Sequence, residues 1–163
     1  MSFASAQGST HVQPTGEWPV LLDQATREVF EIMLGAQLTP SVDGQKVNGS
    51  ILTGMVGLAG AACGVLSVRC SKTTANKIAG KMLGQEAADS DETIVDALGE
   101  VCNMIAGSFK AKVPGMADGC MLSVPSVISG TSYELHSLAN GVKCEVSVIF
   151  ADELIEVVLD LDQ

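Results

Sequence analysis

Asp96, Glu100 and Asn103 fall on one stripe of a helical pattern, and Pro125 follows at a fixed distance, in the arrangement Asp-x3-Glu-x2-Asn-x21-Pro. At about 100° per residue, Asp96, Glu100, Asn103, Gly107 and Lys110 share a sector of roughly 80°, almost opposite Ile94, Leu98, Ile105 and Phe109. Two carboxylates and an amide presented together can hydrogen-bond or ion-pair with a partner. An ordinary solvated helix face is the commonest account of such a stripe, and it fits imperfectly. Asp96 and Glu100 are like charges at i,i+4, a cost of roughly 0.2 to 0.5 kcal/mol, and Asn is a poor helix former. Gly107 costs about 1 kcal/mol relative to Ala while removing a side chain that would crowd Asn103. A face that gives up stability and leaves a clearing beside an amide reads as a docking surface.

The element that must carry these residues is a long amphipathic helix over Asp89–Val113, free of proline until Pro114, with Ile94, Leu98, Val101, Ile105 and Phe109 at helical spacing. Asp89 and Glu92 suggest a capping box, and Lys110 and Lys112 suit the negative C-terminal end. Around it the pattern predicts helices over 18–34 and 71–83. Strands are expected near 38–42, 47–58, 63–70, 120–124, 129–137, 143–150 and 154–161, with Asn140-Gly141 as a hairpin turn. That order makes an α+β domain with an antiparallel sheet. The uncharged run Ile51–Val68 is long enough to raise a membrane span, but its glycines divide it at 57–64 into two buried strands. Residues 1–16 are polar, lack a basic n-region and apolar core, and read as a flexible leader; 17–163 reads as a single domain.

The helix GEVCNMIAG, with Asp96 upstream and Pro125 downstream, resembles the signature of the CheC/CheX/FliY chemotaxis phosphatases, and the likeness runs from about Trp18 to Leu161. An internal repeat identifies the branch. Glu28-Val-Phe-Glu-Ile-Met-Leu-Gly35 aligns with Glu100-Val-Cys-Asn-Met-Ile-Ala-Gly107, but Glu31 stands in the place of Asn103, Gln24 in that of Asp96 and Thr53 in that of Pro125. With one full copy of the motif, the chain is similar to the single-motif, CheX-like members. The resemblance implies two pseudo-symmetric halves, with two long helices packed together on one side of the sheet, and a homodimer joined through the sheets. It also implies an activity: removal of phosphate from the phospho-aspartate of a CheY-like response regulator, in chemotaxis or a related two-component pathway.

Composition restricts the alternatives. Nine basic against nineteen acidic residues leave a net charge of −10, which argues against nucleic acid or an anionic membrane as partner. The five cysteines show no CxxC spacing, neither histidine has a partner for a triad, and no zinc or other metal site is expected on this chain. An odd cysteine count without a signal sequence fits a reducing cytoplasm. Cys102 lies nearer the apolar face and reads as a small buried hydrophobe, not a nucleophile.

Hydrolysis of an acyl phosphate asks for little beyond an oriented water, because the response regulator brings its own Mg²⁺ and a Lys that neutralise the phosphoryl oxygens. Asn103 can accept a hydrogen bond from that water and hold it in line with the scissile P–O bond. By resemblance Glu100 is the docking acid that pairs with the partner's Lys, while Asp96 and Pro125 shape and support the helix. The competing reading is a non-catalytic response-regulator binding module, or a structural relative of flagellar switch proteins, which would dock through the same Glu100, Asn103 and Gly107 face.

Overall fold

The structure, a computed structural model, describes residues 11–131 and 133–162. Among the described residues three helices, α1 (Trp18–Leu34), α2 (Lys72–Met82) and α3 (Asp91–Lys112), accompany seven strands. These are β1 (Thr39–Pro40), β2 (Ile51–Gly60), β3 (Gly64–Ser71), β4 (Cys120–Leu122), β5 (Ser126–Gly130), β6 (Lys143–Phe150) and β7 (Glu153–Leu161). All pairings are antiparallel, in the order β1-β6-β7-β3-β2-β4, with β5 sharing the β2 edge. Exchanging the halves turns this order into itself: β7 with β3, β6 with β2, and β1 with β4 mirror one another about the β7–β3 pair. The two-half reading of the sequence therefore has a structural counterpart, and the fold is the expected α+β one.

The halves interlock. α1 packs on β6 of the second half, whereas α3 packs on β2 of the first, and the two long helices lie against each other. Trp18 of α1 meets Phe109 of α3 edge-on with ring centroids 5.4 Å apart, and Phe30 of α1 meets Phe150 of β6 at the same distance. Strand β6 alternates buried and exposed residues, the signature of a sheet with one covered and one open face.

Several boundaries differ from the sequence expectation for identifiable reasons. The cap of α3 is Ser90, one residue after Asp89: its Oγ accepts the Thr93 N–H at 3.2 Å, while the Thr93 hydroxyl donates to Asp89 at 3.0 Å. Strand β1 is only two residues long, and Pro40, which has no N–H, ends that ladder. The expected strand over 129–137 is replaced by β5, ending at Gly130. Along β6 one edge is taken throughout by β7, while β1 covers the other only at Val148 and Ile149; residues 133–140 do not add to the remainder of that edge, and Asn140-Gly141 closes no hairpin. This segment instead crosses the open face of the sheet, held by a 2.6 Å hydrogen bond between the Tyr133 and Thr53 hydroxyls, with the Arg69 guanidinium over the Tyr133 ring. His136 is exposed in it, facing Glu134 at 3.3 Å.

The run 51–68 forms two strands joined by a short turn at residues 61–63, and no helix among the described residues is long and apolar enough to cross a membrane. Of the leader, residues 1–10 lie outside the described residues. Val12 is already docked, its N–H donating to Ala61 O at 2.9 Å and its side chain packing on the core.

Candidate active site on the third helix

The seat of α3 is made by small residues. A Cβ built on Gly54 in β2 would stand 3.3 Å from the Cys102 Cβ and 3.4 Å from the Leu98 Cγ, so the absence of one lets the helix lie close on the sheet. On one flank a Cβ at Gly99 would lie 3.4 Å from the Pro125 Cβ and 3.7 Å from the Val127 Cγ2. Pro125 thus sits against the helix beside Glu100, although 24 residues separate the two in the chain. The connection leading to it is pinned to β2. The Gly57 N–H donates to the Ser123 hydroxyl at 2.8 Å, the Ser123 N–H donates to Gly57 O at 2.9 Å, and the Ser123 hydroxyl donates to Val124 O at 3.1 Å. Further along, the Lys110 ammonium donates to Cys120 O at 2.6 Å, which fastens the last turns of α3 to β4.

The other flank is α1. Glu28 accepts the Lys112 ammonium at 2.7 Å and the Ser108 hydroxyl at 3.3 Å, and the Lys112 hydrogen bond holds its carboxyl below the usual range despite partial desolvation. The first-half counterpart of Glu100 is therefore occupied in joining two helices.

Between these flanks the stripe is open. Asp96 and Glu100 are exposed, and Asn103 and Gly107 half-buried. Nothing among the described residues lies within 4 Å of a Cβ built on Gly107. Among the described residues no side chain bonds to Asp96, Glu100 or Asn103, and the Asn103 amide is not an orphaned buried group. Lys110 belongs to the stripe by angle, but its ammonium is committed to Cys120. Cys102 is fully buried, its thiol donating to Leu66 O at 3.7 Å and pushed up to about 12 by desolvation, so it supplies no thiolate at neutral pH. No group of three or more His, Cys, Asp or Glu among the described residues could hold a metal.

Gly99, Gly54 and Ser123 are the supporting residues that sequence reasoning missed. A glycine inside a helical pattern, directly before the motif acid, was the available signal for Gly99. Thr53, aligned with Pro125 by spacing, points to the open sheet face and bonds Tyr133, so nothing at that position flanks α1 as Pro125 flanks α3.

Comparison with known proteins shows the family to which this fold belongs. Residues 52–149, which hold β2 through most of β6 with all of α3 and Pro125, match the family model described as chemotaxis phosphatase CheX. A Thermotoga maritima protein named CheY-P phosphatase CheX is 31 % identical over 103 residues, which is 63 % of this chain and 66 % of that protein, just under two thirds of its length. Among solved structures, a chemotaxis protein CheX from Desulfovibrio desulfuricans superposes with a TM-score of 0.75 at 27 % identity, covering 90 % of this chain and 99 % of its own. A CheX from Borrelia burgdorferi, solved as a CheX–CheY–BeF3–Mg²⁺ complex, gives 0.74 at 25 % identity over 90 % of this chain and 98 % of its own. With the two-half fold, the pinned Pro125 and a match over more than half of its length, the chain belongs to the chemotaxis phosphatase CheX family.

Proposed function

We propose that the chain hydrolyses the phospho-aspartate of a CheY-like response regulator, and that Asn103 and Glu100 divide the work. The observation that carries this is the open α3 face, where a carboxylate and an amide one turn apart are unpaired among the described residues, beside the clearing at Gly107. The Borrelia relative was solved with CheY, a beryllofluoride group and Mg²⁺, which supports a receiver domain as the partner and a metal held on that partner's side of the reaction. This chain then has no need of a cofactor of its own.

Glu100 docks against the partner's active-site Lys and sets how deeply the helix enters. The Asn103 amide oxygen accepts a hydrogen bond from water and holds it in line with the P–O bond, so catalysis comes from position and not from proton abstraction. Pro125 and Asp96 keep the surface in shape without touching the phosphoryl group. Self-association as a homodimer through the sheets leaves this face free, because α1 and α3 lie on the opposite side.

The test follows decay of phosphorylated receiver domains from the same host with wild type, Asn103→Ala and Glu100→Ala, alongside binding to their beryllofluoride forms. Asn103→Ala loses on the order of 10²-fold in turnover and keeps its affinity, while Glu100→Ala loses affinity and turnover together. Wild type that binds but never accelerates decay would establish the binding-module reading instead.

A further inference from the structure

The connection Ser123–Pro125 has a feature that support of the helix does not explain: Val124 is 84 % exposed. An apolar side chain in solvent is ordinary on a mobile loop, but both neighbours of this one are fastened. Ser123 is bonded to Gly57 through its N–H and its hydroxyl, and that hydroxyl also donates to the Val124 carbonyl. Pro125 rests on Gly99. The backbone that presents Val124 is therefore held on both sides.

Its place along α3 follows from two fixed points. Pro125 lies against Gly99, and the Cys120 carbonyl lies within reach of the Lys110 side chain, whose ammonium it accepts. Eleven residues of helix cover about 16 Å. Five residues cover nearly the same length. Because Ser123, Val124 and Pro125 oppose only two residues of β2 between the Leu58–Leu122 and Met55–Ser126 pairs, a bulge there breaks the alternation that would otherwise turn Val124 to the side opposite Pro125. The stretch from Pro125 back to Cys120 thus runs alongside the helix in the opposite direction, which brings Val124 level with the turn that carries Glu100 and Asn103. We infer that Val124 is a preorganised apolar contact for the receiver domain docking on α3, and so a determinant of affinity for that partner. This rests on the phosphatase reading above and extends its surface from a polar stripe to a stripe with a fixed hydrophobic edge. Little conformational entropy is lost when such a contact closes, because its backbone is already ordered. A small apolar anchor beside a charged pair also excludes water from that pair.

The experiment measures binding of the beryllofluoride-activated receiver domain, and KM and kcat for decay of its phosphorylated form, for wild type, Val124→Ala and Val124→Asp. Thermal melts check folding, which exposed substitutions should leave unchanged. Val124→Ala weakens affinity by about threefold to tenfold and Val124→Asp by more than about tenfold, both through KM, with kcat at saturating regulator within about twofold of wild type. Unchanged affinity and KM in both variants, with an active wild type, overturns the role of Val124 alone. A wild type that neither binds nor dephosphorylates any receiver domain of the host overturns the phosphatase reading and this inference with it.

Discussion

The helices α1 and α3 carry related sequences and have opposite fates. Each has an acid with a glycine seven residues later, but Gly35 adopts φ 58° and ends α1, whereas Gly107 lies inside the 22-residue α3 and leaves open space. Glu28 is held by Lys112 and Ser108, while Glu100 is unpaired among the described residues. Pro125 flanks α3, and Thr53, its counterpart by spacing, lies across the sheet from α1. A local pattern becomes a site only where its neighbours leave its polar groups free and its flank is held. The α1 face meets neither condition.

The comparison can be broken most severely by giving α3 the residue that α1 has. Asn103→Glu replaces the amide with the carboxylate of Glu31, and phospho-regulator decay should slow by on the order of 10²-fold without loss of thermal stability. Decay at the wild-type rate would remove the basis for distinguishing the helices. Next in size is the seat. Gly54→Val places branched atoms against Leu98 and Cys102, and a urea titration should show a loss of about 1–3 kcal/mol. Turnover should fall as well, because the helix is lifted from the flank at Pro125. An unchanged midpoint would mean that the close approach at Gly54 carries no packing role.

A smaller effect concerns the occupied acid. Because the Lys112 hydrogen bond lowers the Glu28 pKa on folding, the pair contributes stability above the unfolded carboxylate value of about 4.3, and that contribution is lost as pH falls through the folded value. Glu28→Gln should therefore differ from wild type slightly at pH 7, within the small range of solvent-screened pairs, and converge with it in acid melts. A gap that widens on acidification would reverse the assignment. Smallest is Glu31→Asn, which restores an amide on α1: turnover should stay within about twofold of wild type, since Glu28 remains tied and no proline flanks it. Appearance of a second active site, measured in an Asn103→Ala background, would show that the flank is dispensable.

Much of the site is legible in the amino-acid sequence. The stripe can be read because helical spacing maps sequence directly onto a face, and a like-charged pair with Asn and Gly on that face conflicts with helix stability enough to be noticed. The strand expected over 143–150 coincides with β6 because its alternation is strict, and only one side of β6 is covered. Over 129–137 the same reasoning fails. Whether an alternating segment becomes a strand depends on which tertiary contacts it meets, and here Tyr133 is held over the sheet face by the Thr53 hydroxyl and the Arg69 guanidinium, away from a ladder.

By itself, then, the sequence determined the amphipathic α3, the outward placement of Asp96, Glu100 and Asn103, the two-half pattern and the absence of the amide from α1. These are consequences of periodicity and residue type, which act over a few residues. Only the tertiary structure decided that α3 lies over β2 of the other half, that Gly54 and Gly99 admit the sheet and Pro125, that Ser123 holds Val124 in place, and that Glu28 is taken by Lys112. Each of these joins residues distant in the chain. Close packing and hydrogen-bond partnership between such residues depend on which surfaces meet in space, and no local spacing encodes that meeting.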